Sequence, residues 1–362
     1  MIERQGFSML KLVLILMMLL CVTTVKAVEN RNYTAELVEI EKTLLNDLPA
    51  SRERLELIGQ HKDNFSVKEK QHHQLLNAHL LFMMNDVDNA QVSLEDLASN
   101  TLSPDYDARK QMLLSAIYHH RGESVKAFMA VDRSLNLIEK LNSNRYKSKI
   151  LIGAVGIYKD ADLIEFALEY GRRAINLANE SKDAETMCLA SYEMGTIELL
   201  TKNYKMAENR LLTAKGYCDK EKIVIASYAI EYSLMQLNIE TGKVDSAETI
   251  AKDLHSKVEI YGWDVLRSAT KTLYGRLLLN KGELELAKNF GEAGYQIAKK
   301  VKDKKRIEKA AALLAEVYTE LKDNDKAVNY YKEYMELNVQ NKVRIRQRKL
   351  AFDIARRKQF DE

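Results

Sequence analysis

The chain has 362 residues, of which 46% are hydrophobic and 30% charged, and its formal net charge is +3. This composition can bury a large core and excludes a disordered chain. Two prolines and 14 glycines are too few for an all-β protein, and three cysteines are too few for a disulfide-based scaffold.

Residues 1–27 are predicted to be a cleaved secretory signal peptide. A basic start precedes an apolar run over residues 12–22, and Val25-Lys26-Ala27 is a loose small-x-small cleavage pattern. The run is shorter than the roughly 20 residues of a membrane span, which makes an uncleaved anchor the less favoured alternative. We therefore expect a mature chain exported to a bacterial periplasm.

Alanine recurs through the body of the chain in steps of 40 residues. Each alanine follows a polar break by a few residues, and apolar residues at helical spacing lie on both sides of the break. This pattern predicts repeated pairs of antiparallel helices over residues 71–340, after a shorter helical cap in residues 28–70. The alanines are Ala127, Ala167, Ala207, Ala247, Ala287 and Ala327.

Each unit resembles the tetratricopeptide repeat (TPR), which has a small residue in its first helix, an aromatic three residues later and an alanine early in its second helix. The matching pairs are Ser115/Tyr118, Val155/Tyr158 and Ala315/Tyr318, each followed by the alanine. The usual TPR period is about 34 residues, so each helix here is expected to be about one turn longer. The resemblance implies an all-α, right-handed superhelical solenoid of about seven repeats.

The resemblance also implies that the first helices line a concave groove. The count starts from the small residue in the middle of each first helix. It places Met112, Ile152, Tyr192, Tyr232, Gln236 and Arg276 on this surface. Aromatic area beside polar tips suits an extended peptide or a helix. The alternative is that these are ordinary groove residues without a ligand.

Cys188 opens the first helix of its unit and Cys218 closes the second. Antiparallel helices bring these two ends together, which makes a disulfide plausible if the Cα atoms lie within about 7 Å. Two buried free thiols are the alternative.

We find no catalytic constellation in the sequence. His72, His73 and His79 share one predicted helix, but no carboxylates stand at metal-ligand spacing from them. The chain has neither a glycine-rich phosphate loop nor a nucleophile elbow. We therefore expect no enzymatic activity, no cofactor and no metal.

Residues 341–362 carry a net charge of +5, whereas residues 28–340 carry −4. Export argues against nucleic acid as the partner of this basic segment. An apolar stripe continues the last helix into it, which predicts either a simple capping helix or a connector that forms dimers. The stripe consists of Val339, Val343, Leu350 and Ile354.

The layout of signal peptide, long array and charged helix resembles the periplasmic sensor region of bacterial TPR-containing diguanylate cyclases. The transmembrane helix and the GGDEF motif of those proteins are missing here, so cyclase activity is not implied. Two functions follow. The first is a non-catalytic periplasmic scaffold that binds a protein or peptide. The second is the sensor module of a truncated membrane-bound signalling protein, which forms a homodimer through its tail and contacts a membrane partner.

Overall fold

The computed structural model describes residues 32–44, 46–97 and 102–361, with side chains as far as residue 358. The predicted signal peptide lies outside these residues. The described residues form sixteen α-helices and no strand, which confirms the all-α prediction. Within this part of the chain we find no helix that combines the length and the apolar character of a membrane span.

Two short helices precede the repeats. Helix α1 (Tyr33–Thr43) is capped by the Asn32 side chain, and α2 (Leu48–Gly59) is capped by Asp47. Pro49 lies in the first turn of α2, where its missing N–H has no helical partner to lose. The apolar sides of α1 and α2 pack against the first repeat helix.

Seven consecutive helix pairs follow. They are α3 (Val67–Met83) with α4 (Val87–Glu95), α5 (Pro104–Arg121) with α6 (Ser124–Asn136), α7 (Asn144–Asp160) with α8 (Ile164–Ser181), α9 (Ala184–Leu200) with α10 (Tyr204–Lys220), α11 (Val224–Glu240) with α12 (Val244–Tyr261), α13 (Asp264–Asn280) with α14 (Leu284–Lys300), and α15 (Lys304–Glu320) with α16 (Asn324–Asp361). Each helix from α7 to α15 has 17 or 18 residues.

The turns explain the period of the sequence. From residue 162 to residue 322, a residue with positive φ ends a helix every 20 residues. One left-handed residue reverses the chain after each helix and satisfies the last carbonyls of the helix. Two helices, each with its turn, give the 40-residue period. The nine positions are Asp162, Lys182, Lys202, Lys222, Gly242, Gly262, Gly282, Lys302 and Lys322.

The small residues let paired helices approach closely, as predicted. The recurring alanines are at most 5% exposed. At Gly275 a Cβ atom would lie 3.1 Å from the carbonyl oxygen of Ala287 in the paired helix. Contact at this distance leaves no space for a larger residue at position 275.

Two segments of the sequence, Ser66-Val67-Lys68-Glu69 and Asp245-Ser246-Ala247-Glu248, match the capping-box pattern and predict a helix start at each. Ser66 and Glu69 form the predicted capping box at the start of α3, because each side chain accepts a hydrogen bond from the other residue's backbone N–H. The capping box predicted at Asp245 and Glu248 is wrong. Helix α12 already begins at Val244, because the turn at Gly242 fixes its start.

The last helix does not project from the array as a connector. Helix α16 is continuous over 38 residues, and its second half packs against α6. Phe352 lies among Phe128, Tyr158 and Phe166, with ring centroids 5.4, 5.8 and 5.0 Å away. The seventh repeat is thereby joined to the second and third repeats, which closes the superhelix on itself.

Candidate functional site

A cavity of about 380 Å³ opens on the groove, the surface lined by the first helices of the repeats. It lies over α5, α7 and α9, and Phe82 of α3 forms part of one wall. Its lining includes the small residues Ala116 and Gly156, here called its floor, and the longer polar side chains of His119, Lys159 and Glu193, here called its sides. Counting one and four residues beyond the mid-helix small position of the repeat also predicts Ala116, Gly156, His119 and Lys159 on the concave side.

The cavity exists because two neighbouring first helices carry small residues there. A Cβ atom added at Gly156 would meet nothing within 4 Å, so this position faces open space. One turn earlier, a Cβ atom at Gly153 would lie 2.7 Å from the sulfur of Met112. The groove floor is therefore filled at Gly153 and open at Gly156.

The sides of the cavity carry paired charges. Lys159 Nζ lies 2.5 Å from Glu193 Oε2 and donates to Thr196 Oγ1 at 2.8 Å. Burial by itself would lower the pKa of Lys159. The interactions of Lys159 with its neighbours, Glu193 foremost, outweigh burial, so the pKa of Lys159 is raised. His119 Nε2 lies 3.2 Å from Asp160 Oδ2. Both signs of charge are thus held beside an open apolar floor.

The six predicted groove residues do not form one free recognition patch. Met112 and Ile152 are partly buried in the apolar core. Arg276 forms a two-pronged ion pair with Glu316 of the next repeat, with Nη2 2.9 Å from Oε1. The amide of Gln236 donates to Glu240 on its own helix at 2.7 Å. The two polar tips expected to contact a ligand are therefore engaged within the chain.

Tyr192 and Tyr232 are half-buried and pack against the core clusters of their repeats. Burial raises the pKa of Tyr192 to about 12, and the nearby charge of Glu193 contributes. The phenol of Tyr192 also interacts with Ser233 on the next first helix. These tyrosines join adjacent repeats as well as facing the groove.

A second cluster, which the sequence did not predict, is centred on Glu41 of α1. Its carboxylate lies 2.8 Å from His72 Nε2 and accepts hydrogen bonds from Arg109 at 2.9 Å and Tyr146 at 3.2 Å. Burial alone raises the pKa of Glu41, but Arg109 and His72 outweigh it and hold that pKa well below its usual range. Helix α1 is thereby fixed across the starts of α3, α5 and α7.

No spacing in the sequence identifies this cluster, because its members are 31, 68 and 105 residues from Glu41. It also shows that His72 is a buried partner of a carboxylate rather than a surface histidine. In the described part of the chain, no three His, Cys, Asp or Glu side chains are arranged to hold a metal ion.

Cys188 and Cys218 are joined by a disulfide in the structure, and their Cα atoms lie 5.0 Å apart. The bond links the start of α9 to the end of α10, the two helix ends that the sequence placed together. Both cysteines are fully buried in the core of the fourth repeat.

No protein-family model and no curated protein matches the chain. Several solved structures match the chain in fold. A Rap protein complexed with competence and sporulation factor is 12% identical, with a TM-score of 0.63 over 86% of this chain and 99% of that one. NprR with its cognate peptide NprX is 13% identical, with a TM-score of 0.55 over 83% and 88%. A signal transduction ATPase with a tetratricopeptide repeat sensor from Pyrococcus horikoshii is 12% identical, with a TM-score of 0.56 over 85% and 52%.

The chain is a TPR-type solenoid. At these identities the likeness concerns the fold alone, but the helix pairs and the buried alanine of every pair agree with it. In this TPR-type solenoid the first helices provide the groove, the floor opens at Gly156, and the two ends of the described chain pack onto the early repeats.

Proposed function

We propose that this protein is a non-catalytic scaffold that binds a protein or peptide in the groove, over Gly156. The observation that carries the proposal is the open cavity with a small-residue floor and paired charges at its sides. An extended peptide offers both apolar side chains and backbone polar groups, which this combination can accommodate. Two of the similar structures are complexes, one with competence and sporulation factor and one with the cognate peptide NprX.

We also propose that the protein acts in the periplasm after removal of residues 1–27. The support is the basic start, the apolar run and Val25-Lys26-Ala27 in the sequence. Expression of the full chain in a bacterium, followed by intact-mass measurement of the periplasmic fraction, tests this. A mature chain beginning at Val28 supports the proposal, and an uncleaved chain in the membrane fraction contradicts it.

A pair of matched glycine variants tests the groove. Gly156→Phe projects a ring into the cavity, whereas Gly216→Phe places the same ring on the exposed side of α10. A Cβ atom at either position would meet nothing within 4 Å, so both variants are expected to fold. This pair distinguishes blockage of the groove from a general effect of phenylalanine on a helix. The double variant Tyr192→Ala/Tyr232→Ala is less informative, because it also removes side chains that pack against the core.

Peptides are selected from a random phage-displayed library on the oxidised wild-type chain, and their affinities are measured by calorimetry. Gly156→Phe is expected to weaken binding at least about tenfold, and Gly216→Phe to leave it within about twofold. Circular dichroism melts confirm that both variants are folded. Failure to enrich any peptide, or equal binding by both variants, would overturn the proposal.

A second candidate function is a sensor module that passes groove occupancy to a membrane partner, the role of the periplasmic region in the cyclases named above. One observation favours it. Asp160 lines the cavity and its backbone carbonyl also accepts a hydrogen bond from Arg348 of α16. A ligand in the cavity can therefore change how α16 packs against the early repeats. Hydrogen exchange of α16 with and without a selected peptide tests this candidate, and unchanged exchange contradicts it.

A further inference from the structure

One face of α16 carries exposed apolar side chains along most of its length. They are between 37% and 60% exposed and recur every three to four residues, apart from a gap at Arg346. The stripe is about 39 Å long at 1.5 Å per residue. Its residues are Val328, Tyr331, Met335, Val339, Val343, Leu350 and Ile354.

At Tyr331 the stripe includes a position that is covered in the other repeats. Tyr331 lies four residues after the recurring alanine and is 41% exposed. The equivalent residues of the five preceding repeats are all buried, and those at Gly171 and Gly291 lie against the first helix of the next repeat. They are Val131, Gly171, Leu211, Ala251 and Gly291. Terminal repeats usually present a polar outer face, so an apolar end indicates a surface that is covered in use.

The second half of the stripe stays exposed although the same turns of α16 are docked. Ala351, Phe352 and Ala355 are buried against the early repeats, whereas Leu350 is 60% and Ile354 37% exposed. The docking of α16 therefore leaves both halves of the stripe accessible.

Exposed charges beside the stripe are arranged in a complementary way. Asp325 and Glu336 flank its first half, and Arg346 and Arg357 flank its second half. None of these four forms an ion pair with another residue that the structure describes. In an antiparallel pair of α16 helices, the register that sets Val339 opposite Val343 also sets Glu336 opposite Arg346 and Asp325 opposite Arg357. A parallel pair in register would instead set each of these charges against its own copy.

We propose that the stripe is the interface with a second copy of this chain, with the two α16 helices antiparallel about a twofold axis near residue 341. Such an interface is self-complementary and closed, as twofold dimers are. It covers the exposed apolar stripe of each α16 and pairs the charges beside it. A signalling role for this dimer rests on the sensor function proposed above. The dimer interface itself does not depend on a ligand in the groove.

Charge reversal tests the interface in the full mature chain. Sedimentation equilibrium measures the dimer dissociation constant of wild type, Glu336→Arg, Arg346→Glu and the double variant. Each single variant is expected to weaken the dimer at least about tenfold, and the double variant to recover to within about threefold of wild type. Arg172→Glu, an exposed charge change on α8, is the matched control and is expected to leave the dimer intact.

Cysteine cross-linking tests the orientation. Glu336→Cys and Arg346→Cys are each expected to stay uncross-linked alone under mild oxidation and to cross-link when the two variants are mixed. Cross-linking of each variant with itself would overturn the antiparallel arrangement. A wild-type monomer at all concentrations, or a monomer that sediments with phosphatidylglycerol vesicles, would overturn the proposal. Peptide capture by Glu336→Arg, measured in parallel, distinguishes failure of the dimer from failure of the groove.

Discussion

The guanidinium of Arg348 donates a hydrogen bond to the backbone carbonyl of Asp160 at 2.9 Å, although 188 residues separate the two in sequence. This carbonyl belongs to the last residue of α7, where helical carbonyls lack partners and the helix dipole favours a cation. Lys349 adds an ion pair with Asp162 at 2.7 Å. The end of the chain is thus fixed to the turn that borders the cavity.

Phe352 is expected to hold this contact together. It is 5% exposed among three aromatic rings, so Phe352→Ala leaves a cavity and should lower the free energy of unfolding by about 3 kcal/mol. Urea unfolding measures the loss, and hydrogen exchange of residues 345–358 should accelerate. Leu212→Ala, which truncates a residue that is 54% exposed on α10, is the control and should change little. Unchanged exchange in α16 would show that Phe352 does not hold the helix in place.

The disulfide between Cys188 and Cys218 is expected to form in the exported protein and to stabilise it. It closes a loop of 30 residues, for which chain entropy predicts about 3–4 kcal/mol. Dithiothreitol should therefore lower the melting temperature of wild type and have no effect on the Cys188→Ala/Cys218→Ala variant. Alkylation of the unfolded, unreduced protein counts its free thiols, and two labelled cysteines would contradict the prediction.

His79 is expected to make stability fall as the pH is lowered from 6.5 towards 4. The pKa of His79 is lowered to about 4, chiefly by burial and also by the charges of Lys149 and Arg109, while the charge of Glu41 opposes the shift. The unfolded state therefore binds more protons in this window, and the stabilisation present above pH 6.5 is lost as the pH falls. The loss at pH 4 is on the order of 3 kcal/mol.

Urea unfolding of wild type and His79→Gln across this range isolates the contribution of His79, because other groups titrate in both proteins. The variant should show a shallower loss of stability than wild type. His120→Gln, at an exposed histidine, is the matched control. Identical slopes for wild type and His79→Gln would show that His79 does not cause the dependence.

Two helical glycines are expected to respond in opposite directions to alanine. A Cβ atom at Gly294 would lie 2.5 Å from Thr272 Oγ1 and 3.1 Å from the Ser268 carbonyl oxygen, so Gly294→Ala should destabilise by about 1–3 kcal/mol. Gly216 has open space, and Gly216→Ala should stabilise by about 0.5–1 kcal/mol through helix propensity. Thermal melts of both variants measure this. Equal shifts would show that α13 and α14 are not packed as closely as described.

The repeat architecture could be predicted from the sequence because neighbouring repeats contact each other at fixed spacing. An alanine early in the second helix, such as Ala287, is needed wherever two paired helices touch, so it recurs every 40 residues, whereas the facing position varies from Gly275 to Val155. The resemblance to the TPR rests on these local contacts, which one sequence displays several times.

The candidate site was only partly predictable. Counting within the repeat predicts Gly156 and Lys159 on the concave surface, because their orientation depends on helix geometry alone, and the structure shows both lining the cavity there. The same count could not show that Arg276 is engaged by Glu316, since pairing depends on which side chains of adjacent repeats reach each other.

The helices, their pairing and the surface that lines the groove follow from the sequence, because they depend on contacts within about 40 residues that repeat along the chain. The positions of the two ends follow from the three-dimensional fold. Glu41 reaches Tyr146, and Phe352 reaches Phe128, through single contacts between residues more than one hundred positions apart. Such contacts arise once, when the superhelix completes its turn, and they leave no periodic pattern in the sequence.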